Sequence, residues 1–141
     1  MIQKVSVSGI VEYEQKILLV QRSLQQEFLP GYFEFPGGKV DFGEHPEESV
    51  VRELKEETGL SVKPSHIFTC RSYLSKQGYQ HNVELFYIVN MTNSISEVIL
   101  SNEHQAYMWV DKDNLEMVNL PDSDPVKKIL EEVLSLYQAS S

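Results

Sequence analysis

Apolar and polar positions alternate through "VSVSGIVEYEQKILLV" (residues 5–20) until the apolar run Ile17 to Val20, which reads as two strands joined at the polar "EYEQK". "LPGYFEFPGGKVDFGE" carries Pro30, Gly31, Pro36, Gly37, Gly38 and Gly43, the composition of a loop with short extended pieces. A helix follows in "HPEESVVRELKEETG": Pro46 suits a first helical position, Glu47 and Glu48 the first turn, and Gly59 the residue past the end. Val50, Val51 and Leu54 form its apolar stripe. Residues 67–74, 83–91 and 106–110 read as strands, the first two separated by a polar "SKQGYQHN" turn. The end, "VKKILEEVLSLYQ", is an amphipathic helix with Val126, Ile129, Leu130, Val133, Leu134 and Tyr137 on its apolar side. Mixed strands with a central and a terminal helix imply a sheet covered by helices.

Length and composition narrow this picture. A chain of 141 residues, 41% hydrophobic and 10% aromatic, suits one folded domain with its own core. No apolar run approaches the roughly 18 residues of a membrane span, and "MIQKVSVSG" lacks the apolar stretch of a secretory signal, so a cytoplasmic location without membrane attachment is expected. The single cysteine, Cys70, rules out an internal disulfide and a CxxC metal knuckle, and its strand context suggests a small buried apolar residue. A formal charge of −9 disfavours binding to long nucleic acid but not to a small anionic ligand, provided cations or a few placed basic residues offset the repulsion.

The chemistry concentrates in "RELKEETG", residues 52–59. Glu53, Glu56 and Glu57 fall within an arc of about 100° on a helix. Like charges at that spacing destabilise a helix, each close pair costing about 4 kcal/mol at an effective dielectric of 20. An acidic helix face is usually only a solvated surface. Here it adjoins the apolar stripe, follows a glycine-rich loop and is preceded by Arg52. Carboxylates on one helical arc, with backbone brought close by glycines, make an oxygen cage for a hard divalent cation such as Mg²⁺.

From Gly38 the chain has Glu44, Arg52, Glu53, Leu54, Glu56, Glu57, Gly59 and Leu60 at spacings that resemble, position for position, the signature of the Nudix hydrolase family. Such a match should arise by chance on the order of 10⁻¹⁰ times per window at average composition. The resemblance extends over nearly the whole chain. It implies a single Nudix domain over residues 1–141: an α/β fold, specifically an α/β/α sandwich with a mixed central sheet and a catalytic loop-helix-loop. It further implies Mg²⁺ (or Mn²⁺) held by Glu53, Glu56, Glu57 and backbone at Gly37 or Gly38, with Glu44 in support and Arg52 steadying the catalytic glutamate. Family members differ over whether the general base is the helix glutamate, here Glu53, or an acid from a later loop; "NEHQAYMWV" makes Glu103 that acid and possible extra metal ligand, with His104 a weaker rival that otherwise reads as a surface residue.

Arg22, ending "LLVQR", reads either as an exposed strand-end cation or as a phosphate contact, and Lys39 as a second phosphate contact. For Phe28, Tyr32, Phe33 and Phe35, core packing competes with base stacking. The pattern looks most like the compact MutT-type enzymes that release pyrophosphate from nucleoside triphosphates. Members acting on ADP-ribose often carry a proline about fifteen residues past the signature, and none occurs here between Pro64 and Pro121. Hydrolysis of dinucleoside polyphosphates or capped RNA, and a non-catalytic nucleotide-binding module, are the alternatives. In "LPDSDP", Ser123 occupies the place of the base-reading asparagine of guanine-selective members; its hydroxyl cannot make an amide's two-point contact, whereas Asp122 or Asp124 could accept from an exocyclic amino group. His45 stands where Ser or Thr often caps the helix, a weaker cap by about 1 kcal/mol. A monomer or homodimer acting on a small nucleotide is expected.

Overall fold

The computed structural model describes residues 1–27, 29–92, 98–121 and 125–137. In chain order its elements are β1 (Ile2–Tyr13), β2 (Lys16–Arg22), β3 (Phe33–Glu34), β4 (Gly37–Lys39), α1 (Pro46–Thr58), β5 (Val62–Ser75), β6 (Gln80–Met91), β7 (His104–Val110) and α2 (Pro125–Ser135), with a 3₁₀ turn at Leu115–Met117. They fall into two compact units, Met1–Val11 with Pro36–Ile99 and Glu12–Phe35 with Leu100–Ser141.

In the first unit the strands run in the order β5, β6, β1, β4. β1 lies parallel to β6, from Ile2 opposite Gln80 to Val11 opposite Val89. β5 and β6, and β1 and β4, pair antiparallel, so the sheet is mixed as expected. Val50 and Leu54 of α1 are fully buried, along with Val7, Ile10 and Leu60. That is the apolar stripe anticipated from the helix spacing, with Val51 only half-buried. Burying such side chains supplies about 1.5–3 kcal/mol each and fixes which way α1 is rotated.

The β5–β6 hairpin is longer than the polar "SKQGYQHN" suggested. Only Lys76 to Tyr79 lie between the strands, because Gln80, His81 and Asn82 pair with Ser75, Leu74 and Tyr73. Asn82 Nδ2 donates to Ser75 Oγ at 2.8 Å and Gln80 Nε2 to Asn82 Oδ1 at 2.7 Å. The expectation of a buried Cys70 is corrected, since this thiol is exposed. Along the second half of β5, Cys70, Ser72 and Leu74 share the exposed face by the two-residue period of a strand, while Arg71 and Tyr73 take the half-buried one.

In the second unit β2 lies between β3 and β7, antiparallel to both, and the end of β1 pairs with its start. Ile17, Leu18, Leu19 and Val20 are all completely buried, which explains a continuous apolar run in place of alternation. α2 buries Val126, Ile129, Leu130, Val133 and Leu134, the face its periodicity indicated. Tyr137 beyond it is half-buried, and its hydroxyl pKa is pushed up to about 12, by burial first and by the charge of Glu12 second.

The β1–β2 turn consists of Glu14 and Gln15, both left-handed at φ 51° and 62°. Two such residues suit a type I′ hairpin, the geometry that Asn-Gly adopts without strain. Gln15 N–H donates to Glu12 Oε1 at 2.8 Å and holds the turn. Replacing the pair by Glu14→Asn and Gln15→Gly should stabilise the protein by about 1 kcal/mol, because neither new residue opposes positive φ as strongly. Urea unfolding checks this: a higher midpoint at unchanged slope is expected, and a midpoint at or below that of the parent contradicts it.

Candidate functional site

The site is built on α1, whose ends are closed by its own sequence. Glu47 N–H donates to His45 Nδ1 at 3.2 Å, and His45 N–H donates to the Glu48 carboxylate at 3.3 Å, a reciprocal capping arrangement. His45 thus caps the helix in the position where Ser or Thr is common. At the other end Gly59, at φ 75°, donates to the Lys55 carbonyl. Between these caps the helix period sets Arg52, Glu53, Glu56 and Glu57 beside the buried stripe.

Arg52 is the centre of the cluster. Nε donates to Glu44 Oε2 at 2.8 Å and an Nη2 hydrogen to Glu44 Oε1 at 2.9 Å, a two-point grip. Nη1 donates to Glu53 Oε1 at 2.8 Å and to Glu56 Oε2 at 3.3 Å, and Nη2 also reaches the Lys39 carbonyl at 3.1 Å. Asp41 stands 3.5 Å from the same guanidinium. All five donors of the arginine therefore have acceptors. Glu44 also accepts from Ser49 Oγ at 2.6 Å and from Asp41 N–H at 3.1 Å. The Arg52 hydrogen bonds, then that of Ser49, hold the Glu44 carboxyl at a pKa of about 2. Arg52 is raised in turn, chiefly by Glu44 and then by Glu53 against the opposing effect of burial.

The glycine loop closes on this cluster. Gly37 N–H donates to Glu57 Oε1 at 2.8 Å, and Glu57 is only 5% exposed. A Cβ at Gly37 would overlap the Val7 carbonyl of the paired strand, and one at Gly38 would overlap the Glu53 carboxylate. Both glycines are required by close approach, since neither has a left-handed φ.

The expected metal ligands Gly38, Glu53, Glu56 and Glu57 are thus brought together with Arg52 and Glu44. Glu53 is 15% and Glu56 57% exposed at the side chain. Among the described residues no three acidic, histidine or cysteine side chains stand grouped to hold a metal ion as they are. Glu53 and Glu56 turn to Arg52, and Glu57 turns to Gly37. Lys39 contributes its carbonyl to the cluster and leaves its side chain exposed.

The other candidates belong to the second unit. Glu103 is exposed in the turn before β7, its carbonyl accepting from Ser23 N–H. His104 was expected at the surface; it is buried instead, with Nε2 2.8 Å from Glu34 Oε2. Arg22 is no exposed strand-end cation: it donates to both oxygens of Glu34 and to Gln26 Oε1. Phe35 is buried, as core packing expects, while Tyr32 and Phe33 are half-buried. Ser123, Asp122, Asp124 and Phe28 lie outside the described residues. The partners missed by sequence reasoning are Glu34, Ser49 and Asp41. Glu34 could have been suspected from a lone acid between two phenylalanines, whereas the other two had no signal.

The NUDIX domain family model matches residues 3–133, and the chain belongs to the Nudix hydrolases. It is a pyrophosphohydrolase of that family. It is 39% identical over 111 residues to the ADP-ribose pyrophosphatase of Methanocaldococcus jannaschii, covering 79% of this chain; the match spans 63% of that protein's length. It is 30% identical over 115 residues to the 8-oxo-dGTP diphosphatase of Buchnera aphidicola, covering 82% of each. Among solved structures, the MutT protein from Methanosarcina mazei Go1 superposes with a TM-score of 0.76 at 26% identity over 96% of both chains. The expected α/β Nudix fold with a mixed sheet is the observed one.

Glu44 sets a pH dependence. Its folded pKa lies below the ordinary value of 4.5, so the stability it contributes is complete above that value and is lost as pH falls toward about 2. The difference in unfolding free energy between the parent and Glu44→Gln should be steady near neutral pH and shrink through that acid window. Denaturant titrations at several pH values read it directly, and a difference that does not change with pH contradicts the assignment.

Proposed function

We propose that the protein hydrolyses a phosphoric anhydride bond of a nucleoside triphosphate, normal or oxidised, using Mg²⁺, with Mn²⁺ as a substitute, and releases a nucleoside monophosphate and pyrophosphate. The observation that carries this is the Arg52 cluster: three glutamates on one arc of α1, two held by the arginine and one tied to the glycine loop. The donor set fits a hard cation, being carboxylate and carbonyl oxygens only. The missing Cβ of Gly38 leaves its backbone against Glu53, where a carbonyl can join the carboxylates. Glu53, Glu56, Glu57 and the Gly38 carbonyl are the residues that would hold the ion. When bound, it supplies neutralisation of the pyrophosphate charge.

The protein's own groups do the rest. Water attacks phosphorus, the anhydride P–O bond breaks, and the departing phosphate oxygen leaves on pyrophosphate. Glu53 accepts the proton of that water, with its carboxylate fixed by Arg52 at 2.8 Å so that little reorientation is needed. Glu103 is the second candidate for the base and a further acidic ligand. Glu44 keeps the guanidinium in place, Arg22 and Lys39 are the candidate phosphate contacts, and Ser123, outside the described residues, is the candidate for reading the base. The net charge of −9 makes the cation and these basic residues necessary for an anionic substrate to approach at all.

The relative at 39% identity favours a second reading, hydrolysis of ADP-ribose to AMP and ribose 5-phosphate. The missing proline after the signature does not outweigh that likeness. Both readings use the same cluster and differ in what is attached to the phosphates. The test is a product screen for pyrophosphate, phosphate and monophosphates with normal and oxidised nucleoside triphosphates, CTP, ADP-ribose and dinucleoside polyphosphates in Mg²⁺. Glu56→Gln should lower kcat on the order of 100-fold. Pyrophosphate release supports the triphosphate reading. Monophosphate products from ADP-ribose alone move it to the second, and turnover of nothing, with nucleotide still bound, leaves a binding module.

A further inference from the structure

The second unit holds a partly buried polar chain, anchored on the buried His104, that the metal cluster does not involve. Glu34 of β3 stands opposite Val20 of β2, one strand step diagonal to Arg22, and accepts from Arg22 Nη1 at 3.2 Å and 3.3 Å. On the other side of β2 a register shift between Gln21 and Arg22 brings Arg22 opposite His104 of β7. His104, with 1% of its side chain exposed, sets Nε2 2.8 Å from Glu34 Oε2. A carboxylate only accepts, so Nε2 carries the hydrogen and His104 donates. Gln26 Oε1 accepts from Arg22 Nη2 at 3.3 Å. Three strands therefore each supply one member, His104, Glu34 and Arg22, in a single line of hydrogen bonds.

A buried histidine next to a carboxylate next to an arginine is costly to desolvate unless it does something a packed apolar trio would not. Here the carboxylate has its rotamer fixed from behind by His104, and so it fixes the arginine in front of it. We infer that Glu34, backed by His104, is a positioning residue that holds the Arg22 guanidinium ready for substrate phosphate. The inference rests on the reading of Arg22 as a phosphate contact. An arginine ordered in advance loses less rotamer freedom on binding, so the gain appears in affinity and not in the chemical step.

The experiment is a double-mutant cycle on binding of imidodiphosphate in the presence of Mg²⁺, by calorimetry, with parent, Arg22→Ala, Glu34→Ala and the double variant. Imidodiphosphate probes phosphate contacts whatever the nucleotide proves to be. Arg22→Ala should weaken binding about tenfold, Glu34→Ala several-fold, and the double variant no more than Arg22→Ala alone. Glu34→Gln, which keeps an oxygen for Arg22, should lie between parent and Glu34→Ala and guards against a folding defect. His104→Gln should weaken binding only while Arg22 is present. With a nucleotide that is turned over, KM should rise while kcat stays within about twofold, whereas a merely structural loss lowers the active fraction and thus kcat. If Arg22→Ala binds less well but Glu34→Ala binds normally, or if the two losses multiply in the double variant, the positioning role is overturned and the reading of Arg22 survives. If Arg22→Ala binds like the parent, the reading of Arg22 fails and the positioning role fails with it.

Discussion

One guanidinium holds the site together. Asp41, Glu44, Glu53 and Glu56 all approach Arg52, and a helix that places glutamates three and four residues apart needs such a partner. A lysine could not replace it, because the cluster uses five donors in fixed directions, two of them on Glu44 as a fork. The two-point bond to Glu44 sets the plane of the guanidinium, and that plane decides where Nη1 meets Glu53. Glu44 in turn is held by Ser49 and by the Asp41 backbone. Positional accuracy at Glu53 thus comes from groups on both sides of the helix start.

The loop is tied in by different physics. Gly37 and Gly38 pair with Ser8 and Val7 of β1, which fixes the backbone against the sheet, and the absence of side chains lets α1 close over it. Buried Glu57 bonds Gly37 N–H, so one signature glutamate is also a fastener between loop and helix. A carboxylate so sheltered is expensive to leave without a charged or donor partner. The same shelter excludes competing water and strengthens electrostatic attraction to a cation. Structure and proposed chemistry therefore draw on the same few residues, and a change at Gly37, Gly38 or Arg52 disturbs both.

The range of each interaction sets how plainly it shows in the sequence. α1 was read correctly from Pro46 to Gly59 because caps and apolar stripe are local signals. The strands of the first hairpin and of "AYMWV" followed from alternation or apolar runs, and the buried face of α2 from its period. The hairpin of β5 and β6 extended beyond its expected limits because Asn82 bonds Ser75 across it and accepts from Gln80 along its own strand, which polarity alone cannot reveal. Cys70 was misjudged because membership of a strand does not say which face is covered. The acidic arc and Arg52 were recognised by spacing. The Glu34 contacts with Arg22 and His104 were not, since their sequence separations of 12 and 70 leave no periodic trace.

The proposed function requires that the arc around Arg52 hold a divalent cation. The most direct measurement is a Mn²⁺ titration followed by electron paramagnetic resonance, comparing the parent with a Glu53→Gln/Glu57→Gln variant of matched circular dichroism. The parent should bind Mn²⁺ that excess Mg²⁺ displaces, and the variant should bind it about 100-fold more weakly or not at all. Equal binding by both proteins, or none by the parent, would contradict the account.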